Sequence, residues 1–311
     1  MTAGAAPVEL SVDKVVAEDL VFPEGPSWHA GELWFSDMLG GAVMRIDADG
    51  RLQQVLDVPG QPSGLGWLPD GRMLVVSMRD RRVLRIDAGT PSTLADLSQL
   101  APQQCNDMVV DAQGRAYIGN FGFDLPGGAT PAPTGIVLVT PDGGARVVAE
   151  GLLFPNGCVI TPSGDTLIVG ETFGARLTSY KIDGDGSLHS RQTWAALPGK
   201  SPDGICLDAE GAIWVASPPT REVLRVRAGG VVTHRVVTKR QAIACMLGGA
   251  DTSRTLHLER PCVVRSRQGA QVPQRCNRVA EGRRSRRRFP LIESRLASQF
   301  LQLQYCCLVG G

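Results

Sequence analysis

The sequence predicts an all-β fold, a six-bladed β-propeller of four-stranded blades whose last blade is incomplete or disrupted. Three observations point there. A strand grammar recurs along the chain, a polar residue returns at one phase of it, and no amphipathic helix of ordinary length interrupts residues 1–240.

Each copy opens on a short apolar run, passes an X-Gly turn and enters a second run rich in Val, Ile and aromatics. A third strand follows, so the unit is a hairpin extended into a meander. Aligned on the polar phase, the copies start at Glu24, Ser63, Asn106, Asn156 and Asp203, and a sixth begins at Cys245. Their turns include Asp70-Gly71, Gln113-Gly114, Ser163-Gly164 and Glu210-Gly211, and third strands are expected at 83–87, 136–139, 177–182 and 223–226. The anchor positions are 39, 43, 50, 47 and 42 residues apart. Four-stranded propeller blades repeat at about 40–50 residues. An irregular sandwich would explain the 37 glycines and 21 prolines, but not the fixed phase.

Composition sets further bounds. A chain of 311 residues can bury a large core, which a propeller uses as one domain. The amino terminus has no basic start leading into an apolar stretch, and no run approaches the roughly 20 apolar residues of a membrane span. A cytoplasmic protein with no membrane partner is expected. Cys105, Cys158, Cys206 and Cys245 fall one per repeat in the innermost strands and read as buried thiols. His29, His189, His234 and His257 share no repeat phase, which argues against a His-based metal site or a Ser/His/Asp triad.

The carboxyl end departs from the pattern. Residues 1–250 carry 20 basic and 27 acidic side chains, whereas residues 251–311 carry 12 arginines and 4 acids. The expected division is a propeller domain over 1–250 and an Arg-rich tail over 251–311 that is foreign to the fold. The tract at 283–288 lacks the interleaved aromatics of an RNA-binding segment, so no nucleic-acid partner is expected.

If the repeats close into a ring, Glu24, Asn106, Asn156 and Asp203 meet at its centre. Carboxylates mixed with amide oxygens suit a hard divalent cation. Singly, Pro-Asn-Gly and Pro-Asp-Gly are turn formers, Glu24 a solvated loop acid and Asn106-Asp107 a strand-end cap. Their common phase is what favours a site. Asp70, Asp111, Asp142, Asp183 and Asp208 fall at hairpin or strand-end phases and read as structural. A cation held in this way would polarise a carbonyl and activate water, and an aspartate beside it could take the proton. No Gly-x-Ser-x-Gly elbow is present to supply a nucleophilic serine.

The segment 22–28, Phe-Pro-Glu-Gly-Pro-Ser-Trp, together with Asn106-Asp107, Phe-Pro-Asn156-Gly and Pro-Asp203-Gly, resembles the signature of the senescence marker protein, regucalcin and gluconolactonase family. The resemblance runs from about residue 15 to 250. It implies a six-bladed propeller with one divalent cation in its central channel, held by Glu24, Asn156 and Asp203. Asn106 would face the substrate and Asp203 would be the general base. Calcium heads the candidate ions, with zinc, manganese and magnesium also admitted. The implied activity is hydrolysis of a small-molecule lactone or related ester. A non-catalytic calcium- or ligand-binding propeller and a phosphotriesterase-like hydrolase are the alternatives, and the oligomeric state stays open. Two departures bear on the substrate. Gln104 stands where the regucalcin branch has an arginine that contacts sugar-lactone hydroxyls. The loop 121–133, which carries Phe123 and should overhang the site, is apolar and rich in Gly and Pro. Both favour a less polar lactone or ester than gluconolactone, with Gln104 and Phe123 as substrate contacts.

Overall fold

The computed structural model describes residues 6–11, 14–248, 254–260 and 263–266. It is an all-β propeller, with strands and no helices among the described residues. Five blades are built from consecutive antiparallel strands running from the axis outward. Blade 1 is Pro23–His29, Glu32–Asp37, Ala42–Ile46 and Leu52–Asp57; blade 2 is Pro62–Trp67, Met73–Ser77, Arg82–Asp87 and Thr90–Asp96. Blade 3 comprises Cys105–Val110, Ala116–Asn120, Thr134–Val139 and Ala145–Leu152, and blade 4 comprises Pro155–Ile160, Thr166–Glu171, Arg176–Ile182 and Leu188–Ala196. Blade 5 runs Ile205–Leu207, Ile213–Ser217, Glu222–Arg227 and Val231–Val237, with Val8–Leu10 added in parallel at its outer edge.

The last sheet is assembled from both ends of the chain. Gln241–Gly248, Arg254–Arg260 and Val263–Ser266 pair in sequence, and Lys14–Ala17 becomes the outermost strand against Val263–Ser266. The expected boundary at 250/251 therefore falls between the first and second strands of this sheet. The two amino-terminal strands were not foreseen in the repeat. The remainder of the Arg-rich tail, from 267 onward and including 283–288, lies outside the described residues.

Burial follows the radial position of each strand. Second strands such as Met73–Ser77 and Ala116–Asn120 are buried throughout, because both faces meet a neighbouring blade. Outermost strands such as Leu52–Asp57 are largely exposed. The core is divided among the junctions between blades. Val43, Leu65 and Val75 pack between blades 1 and 2, Tyr117, Leu138 and Val169 between 3 and 4, and Ile168, Ile205 and Val215 between 4 and 5. Ala17, Leu33, Phe35 and Ala244 fill the junction between the last sheet and blade 1.

The hairpin aspartates hold the turns, as their phase suggested. Asp111 accepts from the backbone N–H groups of Gln113 and Arg115 and pairs with the Arg115 guanidinium at 2.6 Å, while Asp208 repeats the arrangement with Glu210, Ala212 and Arg225. These groups sit at the hairpin end of the blades, one strand length from the polar anchors.

Candidate functional site at the centre of the ring

Four of the anchors, Glu24, Ser63, Asn106 and Asn156, sit where the innermost strand is irregular. The pairing register shifts between Glu24 and Ser27, between Pro62 and Leu65, between Cys105 and Met108 and between Pro155 and Cys158. Such bulges re-aim side chains that regular alternation would turn aside. In blade 5, Asp203 lies just ahead of the strand, with its N–H on the Ala216 carbonyl at 3.0 Å.

The bulges gather the anchors into one buried polar layer. Ser63 Oγ donates to Asn106 Oδ1 at 3.3 Å, Asn106 Nδ2 to Asn156 Oδ1 at 2.9 Å, and Asn156 Nδ2 to Asp203 Oδ1 at 2.6 Å. Asn156 Nδ2 also reaches Thr172 Oγ1 at 3.2 Å, which in turn donates to the Pro202 carbonyl at 2.7 Å. The sequence thus bends so that four blades contribute to one hydrogen-bonded arc. Glu24, on blade 1, is buried and within electrostatic reach of Asp203.

A carboxylate that the sequence reading left as a possible strand cap belongs to the same layer. Asp107 is buried, its charge acts on both Glu24 and Asp203, and its Oδ1 has no hydrogen-bond partner among the described residues. A sequence signal for it exists. The residue after the anchor is glycine in four copies, Gly25, Gly64, Gly157 and Gly204, and at that phase the third copy has Asp107.

Gln104 and Phe123 take different places. The Gln104 Oε1 is buried without a hydrogen-bond partner among the described residues, while its backbone carbonyl accepts from Phe121 N at 2.9 Å. Phe123 is 5% exposed and packs against Phe154 and Phe173, with ring centroids 6.0 and 5.4 Å apart. Its ring is part of an apolar cluster that also holds Phe22, Phe121 and Phe154.

The electrostatics of the layer are unbalanced. Burial first, then Asp203 and Asp107, push the Glu24 carboxyl well above the usual carboxylate range. Burial and then Asp107 do the same to Asp203, against the hydrogen bond from Asn156, and burial raises Asp107 to about 6. None of the ion pairs among the described residues reaches any of the three; Glu171 and Glu222, by contrast, are buried acids paired with Arg176 and Lys200. Three buried carboxylates without a cation are costly. The donor set fits a hard divalent cation, being composed of carboxylate and amide oxygens. Among the described residues no three His, Cys, Asp or Glu side chains converge tightly enough to hold an ion unaided. An ion at this place would need the amide oxygens of Asn156 or Asn106, each of which has a second lone pair to offer.

A cavity of about 330 Å³ lies along the innermost strands, lined from Gly25–Ser27 in blade 1 to Cys245 and Met246 in the last sheet, with Asp107 among its lining residues.

The fold and the site together define a β-propeller whose axis carries buried oxygen donors. The chain belongs to the SMP-30/gluconolactonase/LRE-like family, whose model matches residues 22–257. It is 27% identical over 253 residues to the pentonolactonase XacC of Haloferax volcanii, a match covering 78% of this chain and 82% of that protein. It is 26% identical over 252 residues to the 6-deoxy-6-sulfogluconolactonase of Pseudomonas putida, covering 78% and 84%. Diisopropyl-fluorophosphatase of Loligo vulgaris is 27% identical over 237 residues, covering 65% and 74%. Among solved structures, the calcium-binding protein regucalcin from Agrobacterium tumefaciens superposes with a TM-score of 0.73 at 22% identity, over 84% of this chain and 95% of that one.

Proposed function

We propose that the protein hydrolyses a lactone or related ester at the central polar layer, using one divalent cation held by Glu24, Asn156 and Asp203. The observation that carries this is the burial of Glu24, Asp107 and Asp203 beside Asn106 and Asn156 with no ion pair to any of the three carboxylates among the described residues. The lactonase names of two relatives support the same reaction class. Calcium is the first candidate ion, in line with the name of the superposed regucalcin, and zinc, manganese and magnesium are the others.

When bound, the cation supplies Lewis-acid polarisation of the ester carbonyl. The chain's own groups do the rest. Asp203 accepts the Asn156 amide on Oδ1, the one oxygen of its carboxylate with a side-chain hydrogen bond among the described residues, and its other oxygen is the base for a water proton. The water oxygen adds to the carbonyl carbon, the ring C–O bond breaks, and the ring oxygen leaves with a proton as the alcohol of a hydroxy acid. Asn106, anchored by Ser63, orients the substrate from beside the layer. Gln104 and Phe123 are the expected substrate contacts, Phe123 from within its apolar cluster. The last sheet is the sixth blade that closes the ring, so 254–260 and 263–266, part of the 251–311 tail expected to be foreign to the fold, belong to the propeller. The working partner is a small molecule in the cytoplasm.

Acid release from a panel of lactones, esters and phosphotriesters tests this. Turnover of lactones is expected to disappear with chelator and to fall at least about 100-fold in Asp203→Ala, the lower range of a general base's contribution. Glu24→Gln and Asn156→Ala should lose the ion, and Asp70→Ala should keep it. Stoichiometric metal with no turnover of any ester would leave a calcium-binding module instead. Phosphotriester turnover alone would favour the reaction named for the Loligo vulgaris relative.

A further inference from the structure

One position recurs just after the second strand of blades 1 to 4. Its N–H donates to the carbonyl two residues ahead of the anchor: Met38 to Phe22 at 2.8 Å, Met78 to Gln61 at 2.8 Å, Phe121 to Gln104 at 2.9 Å and Thr172 to Phe154 at 3.1 Å. All four residues are buried. In blades 1 to 3 the side chain at this phase is apolar, and Met38, Met78 and Phe121 belong to the cluster that holds Phe22 and Phe154. Blade 4 has a hydroxyl there instead, and it bonds to the polar layer.

The Thr172 hydroxyl has one hydrogen, and the Pro202 carbonyl, which can only accept, takes it at 2.7 Å. Towards Asn156, 3.2 Å away, Thr172 therefore has only lone pairs to offer, so the amide must turn Nδ2 to it and Oδ1 elsewhere. At the other end of the arc Ser63 sets no such direction, because a hydroxyl can donate to Asn106 or accept from it. Asp203 also accepts from Nδ2, at 2.6 Å, but its carboxylate is assigned to the cation. Thr172 has no second duty of that kind, and its direction is set by the backbone.

We infer that Thr172 is a positioning residue for the cation, holding the Asn156 amide so that Oδ1 is its ligand atom and, through the Pro202 carbonyl, holding the backbone that carries Asp203. The inference rests on the cation site proposed above and adds to it a residue that orients ligands without being one. A reversed Asn156 amide would offer the cation an NH2 group, which cannot ligate it. Partners that orient a metal ligand are worth about 10–100-fold in metal affinity.

The test is calorimetric titration of the chelator-treated full chain with calcium, zinc, manganese and magnesium, each alone. Thr172→Val removes the hydroxyl at nearly the same shape and should weaken binding of the preferred ion by about 10–100-fold. Thr172→Ser keeps the hydroxyl and should restore most of the affinity. Thr178→Val is the control, a buried threonine of blade 4 whose hydroxyl serves Glu171, and it should bind the ion as the unmodified chain does. Melting of each variant in chelator separates lost affinity from lost fold, and Thr172→Cys, whose thiol is a weak acceptor, supplies the same comparison where valine prevents folding. Unchanged affinity in Thr172→Val, or an equal loss in Thr172→Ser or Thr178→Val, overturns this inference and leaves the cation reading standing. Uptake of none of the four ions by the unmodified chain overturns the cation reading itself.

Discussion

At the scale of single residues, Asp107 is the group whose behaviour most directly reports the charge imbalance. Burial raises its carboxyl from 3.8 to about 6. Because its folded value lies above its unfolded one, its favourable contribution is complete below about pH 4 and is lost as the pH rises through 6. A shift of about two pKa units corresponds to roughly 3 kcal/mol. In chelator, Asp107→Asn should therefore melt higher than the unmodified protein at pH 7, by up to about that free energy, and the advantage should shrink towards pH 4. With a saturating divalent cation the advantage should vanish, since the carboxylate then has a partner. A melting difference that is the same at pH 4 and pH 7 in chelator would show that Asp107 is not the uncompensated charge. Glu171 gives the contrasting case. Burial would raise it, yet hydrogen bonds from Arg176 and Thr178 outweigh burial and hold it below its usual value, so its contribution is lost as the pH falls.

At the scale of elements, what was legible and what was not divide along the innermost strands. Glu24, Asn106, Asn156 and Asp203 could be read because the repeat gives them one phase, and phase survives folding. Asp107 could not be placed by alternation, since successive side chains of a regular strand face opposite ways and an inward Asn106 implies an outward Asp107. The bulge between Cys105 and Met108 removes that alternation. Phe123 was expected to overhang the site from its loop position, whereas its ring is drawn into the cluster with Phe154 and Phe173, a preference that composition does not reveal. The glycines after the anchors carry a further structural demand. A Cβ on Gly64 would stand 2.3 Å from the Met108 backbone nitrogen, and one on Gly204 would stand 2.3 Å from Ala244 Cβ. These positions let neighbouring inner strands approach at the tight radius of the axis. Gly64→Ala is expected to destabilise by about 1–3 kcal/mol, the range for overpacking, while Gly184→Ala, whose Cβ would meet nothing within 4 Å, should be nearly neutral. Chemical denaturation of the two variants distinguishes them, and equal stability would mean that the inner strands can separate without loss.

At the scale of the whole molecule, the ring depends on a strand that the repeat did not contain. Lys14–Ala17 pairs with Val263–Ser266 across some 250 residues of sequence, and Ala17 and Leu20 are buried in the junction between the last sheet and blade 1. Such a pairing has no local signal, because neither the turn chemistry nor the period of the repeat specifies which distant edge a short apolar strand will join. Its energetic role is to cover an edge and to fasten the first blade to the last. Removal of residues 1–17 is therefore expected to lower stability by on the order of 3 kcal/mol, the contribution of about one or two buried aliphatic side chains, and to weaken cation binding, since Glu24 belongs to the blade that loses its neighbour. Removal of 267–311, in contrast, should leave the melting temperature and the cation affinity unchanged if the Arg-rich tail is foreign to the propeller. Thermal melts and metal titrations of the two shortened chains measure both effects. A tail deletion that destabilises as much as the amino-terminal one would assign the tail a structural part in closing the ring, and an amino-terminal deletion without effect would mean that the last sheet holds without its outer strand.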